Sequence, residues 1–235
     1  AEWLAQQDVS REFVKQIPDT YTAQAYITTD LEDNQITAFH PGAMNHAHEQ
    51  VIPTDAGITW GMISPDGRDG MLSHARQFAE AGIPFVFDPG QGLPMFDGDE
   101  LKTFVDQASI VTVNDYEGQM LMERTKLTAY ELAERVDALV ITRGGEGSVV
   151  LHRGKTIEIP AAKAPEVLDP TGCGDAFRAG LLHGLMAGAD WETTGRLASL
   201  MGAIKIASHG TQNHSVDPES LRQGFEKNFG YDPGL

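Results

Sequence analysis

The segment from Asp169 to Gly180, DPTGCGDAFRAG, constrains the fold more than any other part of the chain. Its small residues let the backbone approach a ligand closely, and apolar residues recur at helical spacing from Phe177 onward. The free N–H groups of a first helical turn carry about +0.5 charge and suit a phosphate. Asp175 lies beside them, where a carboxylate can take a proton from a hydroxyl that attacks phosphorus. The predicted anion hole consists of the backbone amides of Gly172, Cys173 and Gly174.

Two common nucleotide-binding patterns fail in this part of the sequence. The run GCGDAF has Phe177 where a dinucleotide-binding GxGxxG motif needs its third glycine. The run GKT at residues 154–156 resembles the end of a P-loop, but the first glycine of that motif would fall at Val149. Neither pattern explains the glycine-rich segment.

The motif from Asp169 to Asp175, continued by AGLL at residues 179–182, resembles the C-terminal signature of the ribokinase-like (PfkB) family of sugar and nucleoside kinases. The resemblance implies an α/β fold with a doubly wound, mostly parallel sheet and a small β-hairpin lid. It also implies ATP and Mg²⁺ as cofactors, a hydroxymethyl group as acceptor and Asp175 as the general base. The strand and helix patterns described below lead to the same fold class.

The resemblance also ranks the acceptors. The runs TAQAYITTDLEDNQITAFHPGAMN and VNDYEGQM are most similar to bacterial adenosine-kinase-type members, which implies the 5′-hydroxyl of adenosine or a related nucleoside. Ribokinase or another sugar kinase is the alternative in the same class. A nucleotide-binding scaffold without turnover is the alternative in another class.

Composition limits the partners and the compartment. The net charge of −17 argues against a nucleic-acid or anionic-membrane partner. No apolar run approaches the roughly 20 residues that span a bilayer. One cysteine in 235 residues excludes an internal disulfide framework and favours a reducing compartment, so we expect a cytoplasmic protein.

Residues 1–235 are predicted to form a single ribokinase-like domain, with a β lid inserted at residues 20–42. Two alternating stretches, Tyr21–Thr29 and Gln35–His40, predict a hairpin around the turn residues LEDN, and its strand edge makes a homodimer possible. Family members carry a further N-terminal βαβ-type region with most acceptor contacts, and we expect this chain to lack it.

The rest of the chain alternates short apolar runs with helical patterns. The predicted strands are Ile58–Ile63, Pro84–Phe87, Ser109–Val113, Ala138–Ile141 and Ser148–His152. The predicted helices are Asp69–Ala81, Asp99–Ala108, Tyr116–Arg124, Ala129–Val136, Ala176–Ala187, Glu192–Ser208 and Glu219–Asn228.

Asn114 and Glu117 follow a predicted buried strand, and ligands in open parallel sheets bind beyond the carboxyl ends of the strands. In the family this N-x-x-E pattern belongs to the site for magnesium and phosphate, and a carboxylate can hold Mg²⁺ through water. The same spacing is that of a helix capping box, which needs no metal. Both roles can hold at once.

The sequence TRGGEGS follows the next predicted strand and is similar to the nucleotide-contact hairpin of the family. Its glycines would let the backbone pass close to the phosphates and ribose of ATP, although a plain tight turn would use glycine too. Arg143 could contact a phosphate or simply be solvated. The candidate contacts are Thr142, Gly144, Gly145 and Gly147.

Two further assignments follow from the resemblance. Asp169 and Thr171 match positions that help bind a potassium-type cation. The adenine-side helix end and loop correspond to residues 203–213, with Ala203, Gly210 and Asn213 as contacts; Gly210 also fits a helix C′ position.

Two residue types in the chain allow competing interpretations. A helix N-terminus would lower the pKa of the Cys173 thiol and make it reactive, but an inert small residue is the favoured interpretation. His46 and His48 have the spacing of a zinc-binding pair, but no third and fourth ligands occur at a suitable spacing, so a metal role is not the favoured interpretation.

Overall fold

The computed structural model describes residues 2–29 and 35–234. The chain divides into two compact units, Ala1–Ala108 and Ser109–Leu235. The predicted turn at residues 31–34 lies outside the described residues. Within them, no helix is long and apolar enough to cross a membrane.

The first unit contains the hairpin, a parallel strand pair and two long helices. The antiparallel hairpin starts three residues later than predicted, because the Tyr21 carbonyl accepts a hydrogen bond from the Ala43 amide instead. Strands β3 (Gly61–Ile63) and β4 (Phe85–Phe87) pair in parallel. The elements are α1 (Glu2–Gln6), β1 (Gln24–Thr29), β2 (Gln35–His40), a 3₁₀ helix (Gly42–Glu49), β3 (Gly61–Ile63), α2 (Arg68–Ala81), β4 (Phe85–Phe87), a 3₁₀ helix (Gly90–Met95) and α3 (Gly98–Gln107).

Aromatic side chains form the core of this unit. Phe87 and Phe104 stack with ring centroids 4.5 Å apart, and Phe96 meets Phe104 edge-on at 4.9 Å. All three side chains are buried. Strand β4 is therefore fixed against α3, as expected for a strand that is apolar at every position.

The second unit begins with the parallel pair β5–β6 and extends it by two antiparallel strands, β7 and β8. Strand β8 was not predicted, because its sequence KTIEI is mostly polar and exposed and so lacks the apolar run of a buried strand. The elements are β5 (Ile110–Asn114), α4 (Asp115–Thr125), α5 (Ala129–Ala133), β6 (Ala138–Thr142), β7 (Ser148–His152), β8 (Lys155–Ile159), α6 (Cys173–Met186), α7 (Trp191–Ile206) and α8 (Pro218–Phe229).

Helix α6 begins at Cys173, three residues before the predicted start. Asp175 therefore belongs to the first helical turn. At the other end of this unit, α8 begins at Pro218, one residue before the predicted start, and Asp217 caps the helix with its carboxylate.

Helices α6 and α7 pack closely and run antiparallel. A Cβ added at Gly180 would lie 2.8 Å from the Cα of Ala198, and one added at Gly184 would lie 2.8 Å from the Thr194 hydroxyl. The opposite order of these two pairs places the N-terminus of α6 beside the C-terminus of α7. The missing side chains at Gly180 and Gly184 are what allow this distance.

We predict that Gly180→Ala lowers the free energy of unfolding by about 1–3 kcal/mol, because the new methyl group overpacks the interface with α7. Gly224→Ala is the matched control. Its Cβ would lie 3.5 Å from a Leu200 methyl group, an ordinary contact, and alanine favours a helix over glycine by up to about 1 kcal/mol. Urea unfolding of both variants checks the prediction, which equal stability of the two would contradict.

Candidate active site

A cleft of about 430 Å³ lies in the second unit, between the turn after β6 and the facing ends of α6 and α7. It brings together seven residues that the sequence assigned to a nucleotide site: Thr142, Gly144, Gly145, Gly147, Cys173, Gly174 and Ala203. The turn after β6 and the start of α6, which are about 30 residues apart in the chain, therefore border the same cleft.

Sequence reasoning missed two parts of the cleft wall. One is the segment after β8, and the other is a face of α7 on which small residues recur at helical spacing, a signal that could have been found. The Ser199 hydroxyl joins these two parts, since it accepts from the Ala162 amide at 2.8 Å and donates to the Pro160 carbonyl at 3.1 Å. The missed residues of these two parts are Ala161, Ala162, Ala164, Val167, Pro170, Ser199, Gly202 and Ile206, and Phe177 on α6 was also missed.

The turn after β6 depends on Gly147. Its φ is +90°, and a Cβ there would lie 2.1 Å from the carbonyl oxygen of Ile159, so no other residue fits without moving β8. The Gly147 carbonyl accepts from the Arg143 amide at 2.8 Å and closes the turn. The Arg143 guanidinium pairs with the Glu158 carboxylate on β8, which gives this side chain a structural partner.

The start of α6 forms the opposite wall of the cleft. Gly172 caps the helix with φ +85°, and a Cβ there would lie 3.2 Å from the Thr211 carbonyl oxygen. The Cys173 amide donates to the Pro170 carbonyl at 3.1 Å, and the first intrahelical bond runs from the Ala176 amide to Gly172. Helix geometry therefore leaves the amides of Gly174 and Asp175 for an anion. The anion hole formed by the amides of Gly172, Cys173 and Gly174 stays a prediction. Of these three amides, that of Cys173 already donates to a carbonyl of the protein.

Asp175 directly follows Gly174, which lines the cleft. Its side chain is 76% exposed, and Oδ1 accepts from Nη2 of Arg178 at 2.7 Å, one helical turn along α6. The carboxylate is thus oriented by an ion pair and open to solvent, so a substrate hydroxyl can approach it.

Asp169 fixes the loop that leads into α6. Its Oδ1 accepts from the Thr171 amide at 2.9 Å and its Oδ2 from the Gly210 amide at 2.8 Å. These hydrogen bonds, above all those from Thr171, lower the pKa of Asp169 to about 2. The structure thus brings Asp169, Thr171 and Gly210, three of the predicted residues, together in one hydrogen-bond network behind the start of α6. None of the three is among the residues that line the cleft.

Gly210 does not follow the end of α7 in the way that the sequence indicated. Helix α7 ends at Ile206 and is capped by Ala207, so the interpretation of Gly210 as its C′ residue is wrong. Asn213 donates from its side-chain amide to the His209 carbonyl at 2.8 Å. The predicted adenine-side contacts of Gly210 and Asn213 stay predictions, whereas Ala203 lines the cleft.

Asn114 and Glu117 form a complete capping box at the start of α4. The Glu117 amide donates to Oδ1 of Asn114 at 2.7 Å, and the Asn114 amide donates to Oε2 of Glu117 at 2.8 Å. Asn114 is also the parallel partner of Thr142, which lines the cleft. The structural role is therefore present, and the pair lies one strand away from the candidate nucleotide site.

The chemistry of Asn114 and Glu117 is compatible with a magnesium ion that is held through water. No cluster of three or more His, Cys, Asp or Glu side chains able to hold a metal occurs in residues 2–29 and 35–234. Mg²⁺ commonly binds one or two carboxylates together with phosphates and keeps several waters, which suits Glu117 with Asn114 beside it.

His46, one of the two histidines at residues 46 and 48, has a protein partner: its Nδ1 is hydrogen-bonded to Oε1 of Glu49 at 2.6 Å.

Cys173 is half-buried in the cleft wall, and burial raises the pKa of its thiol despite its place at a helix N-terminus. A raised pKa disfavours the thiolate at neutral pH and so argues against the interpretation as a reactive thiol. An inert small residue is the better description.

Comparison with known proteins gives a consistent result. The sequence profile described as "pfkB family carbohydrate kinase" matches residues 1–218. A nucleoside kinase of Methanocaldococcus jannaschii is 32% identical over 206 residues, which cover 88% of this chain and 68% of that protein.

Solved structures show the same relationship. The nucleoside kinase of Burkholderia thailandensis in complex with inosine is 50% identical, with a TM-score of 0.95 over 98% of this chain and 76% of that chain. Its complex with ADP and inosine has a TM-score of 0.94 over 99% of this chain and 73% of that chain. The predicted ribokinase-like α/β fold, with its mostly parallel sheet and small antiparallel hairpin, is confirmed.

We predict that thiol reagents modify Cys173 slowly at neutral pH, because only the thiolate reacts and its formation is disfavoured in the cleft wall. Since the chain has one cysteine, a colorimetric disulfide reagent reports on this site alone. The rate should rise with pH beyond the point where free cysteine levels off, and ADP should slow it. Cys173→Ser provides the blank, and a rate at pH 7 equal to that of free cysteine would contradict the prediction.

Proposed function

The chain belongs to the pfkB family of carbohydrate kinases, and we propose that it transfers the γ-phosphoryl group of ATP to the 5′-hydroxyl of a purine nucleoside. The observation that supports this most directly is the first turn of α6, where Asp175 directly follows Gly174, a residue that lines a cleft of about 430 Å³. A base and an anion site side by side are what phosphoryl transfer to an alcohol needs.

The nucleoside assignment rests on the relatives. The Burkholderia thailandensis enzyme at 50% identity is named a nucleoside kinase and binds inosine and ADP. The sequence resemblance to adenosine-kinase-type members points to adenosine or a related nucleoside. Ribokinase or another sugar kinase remains the alternative acceptor class, and a nucleotide-binding scaffold without turnover is the alternative of another class.

In the proposed reaction Asp175 takes the proton from the attacking hydroxyl, and the amides at the start of α6 stabilise negative charge on the transferred group. The hairpin glycines Gly144, Gly145 and Gly147, with Thr142, let the backbone pass along the nucleotide. Mg²⁺ neutralises phosphate charge when it is bound, and Asn114 and Glu117 would hold its water shell.

We predict that Asp175→Asn lowers kcat about 10²–10⁴-fold and leaves ADP affinity unchanged, because the amide cannot accept the proton. The assay measures ADP release from ATP–Mg with adenosine, inosine and ribose offered separately. Asp99→Asn is the control, since Asp99 is also an exposed first-turn aspartate, on α3.

Arg178→Met separates the loss of the base from the loss of its ion pair, and it should retain much more activity than Asp175→Asn. Turnover with ribose alone would move the assignment to a sugar kinase. Silence with every acceptor in a protein that binds ATP would favour the scaffold.

We also propose that the hairpin joins two copies of the chain. A two-stranded sheet alone is marginally stable, and one of its faces presents Tyr26 and Ile36 at 62% and 79% exposure. A second copy that covers this face would remove that apolar surface from water. The other face, with Ile27 and Phe39, is left for the predicted lid over the substrate.

We predict that Ile36→Asp converts a dimer into a monomer, because it places a charge in the proposed interface. Light scattering coupled to gel filtration measures the mass. Thr37→Asp is the control, because the neighbouring residue on a strand points to the opposite face. A monomeric wild-type protein would contradict this proposal without affecting the proposed chemistry.

A further inference from the structure

Lys205 is a fully buried lysine in the last turn of α7. Burial of an ammonium group is costly unless its hydrogen bonds are satisfied. An exposed lysine would interact equally well with the dipole at a helix C-terminus, so the dipole alone does not explain why Lys205 is buried.

The ammonium group of Lys205 binds two backbone carbonyl oxygens from different segments. Nζ donates to the Asp169 carbonyl at 2.7 Å and to the Ser208 carbonyl at 3.2 Å. Asp169 opens the loop into α6, and Ser208 follows the end of α7. The lysine thus joins, through its charge, the loop that carries the candidate anion site to the helix end that faces it.

Backbone hydrogen bonds reinforce the same junction. The amides of Leu168 and Asp169 both donate to the Ile206 carbonyl, at 2.9 and 3.1 Å. The positive charge of Lys205 also helps to lower the pKa of Asp169. Charge, carbonyls and amides therefore fix one geometry for the loop that precedes Gly172.

The oxygens of Asp169 do not fit the monovalent cation that the family resemblance implies. Both carboxylate oxygens accept from backbone amides, those of Thr171 and Gly210, and the carbonyl accepts from Lys205. A potassium ion there would need these oxygens as ligands and would lie against an ammonium group of the same charge.

We propose that the Lys205 ammonium group takes the place of a monovalent cation behind the anion site, so that the chain positions the start of α6 without K⁺. Lys205 is a positioning residue: it acts on the transferred phosphoryl group through the 169–172 loop and the amides of Gly174 and Asp175. For its rate measurement the proposal rests on the proposed kinase function.

The test compares wild-type protein with Lys205→Ala and Lys205→Met in potassium, ammonium and choline chloride at equal ionic strength. Wild-type rates should agree within about twofold in all three salts. Lys205→Ala should lose roughly 10–100-fold in kcat in choline, as expected for a misplaced anion site. Potassium or ammonium ions should restore much of that loss, because the shortened side chain leaves room for them.

Lys205→Met fills the same space without the charge, so it should lose activity and gain nothing from either ion. Lys227→Met is the matched control: Lys227 is an exposed lysine in the last turn of α8. It should behave as wild type in every salt.

Thermal unfolding and ADP affinity give readouts that do not require turnover. The melting temperature of Lys205→Ala, and its affinity for ADP, should rise in potassium or ammonium relative to choline, while those of the wild type should not change. If no acceptor is phosphorylated, these two measurements still decide the role of Lys205.

Activation of the wild type several-fold by potassium would overturn the proposal. So would a Lys205→Ala variant with full activity and stability in choline, or one whose losses neither ion relieves, which would assign the lysine a packing role only.

Discussion

The close antiparallel packing of α6 against α7 is the constraint on which the candidate site depends. Gly180 and Gly184 have no side chains to separate the helices, so the backbones approach directly. The start of α6 is thereby held beside the end of α7, and the cleft opens between these ends and the turn after β6. A wider spacing would separate the Asp169 loop from Lys205 and Gly210, which fix it.

The electrostatics of the site follow from the strong negative charge of the chain. With a net charge of −17, the protein must create positive potential locally to hold a triphosphate. Two nearby arginines pair with carboxylates, Arg143 with Glu158 and Arg178 with Asp175. Backbone amides at the start of α6 and the buried ammonium of Lys205 are thus fixed positive groups near the cleft. The ammonium group is satisfied by two carbonyl oxygens of the protein, and the amides of Gly174 and Asp175 are left for a ligand.

Structural roles and proposed functional roles coincide at several residues. The capping box of Asn114 and Glu117 orients both side chains and also lies beside Thr142 on the neighbouring strand. Gly147 is required by the path of β8 and also lines the cleft. Such residues explain why sequence spacing alone left two interpretations open: the same geometry satisfies a helix or a turn and prepares a ligand site.

The fold class, the family and seven of the residues that line the cleft could be predicted from the sequence alone. Periodicity and glycine patterns are local signals, so they identified the buried strands, the presence of helix α6 and the glycine turn. Strand β8, the α7 face with Ser199 and the raised pKa of Cys173 were decided by tertiary structure, because pairing, helix-to-helix contact and burial depend on residues far apart in the chain. Lys205 shows this most clearly. In the sequence it is one charged residue near a helix end, and only folding brings the carbonyl oxygens of Asp169 and Ser208 to its ammonium group.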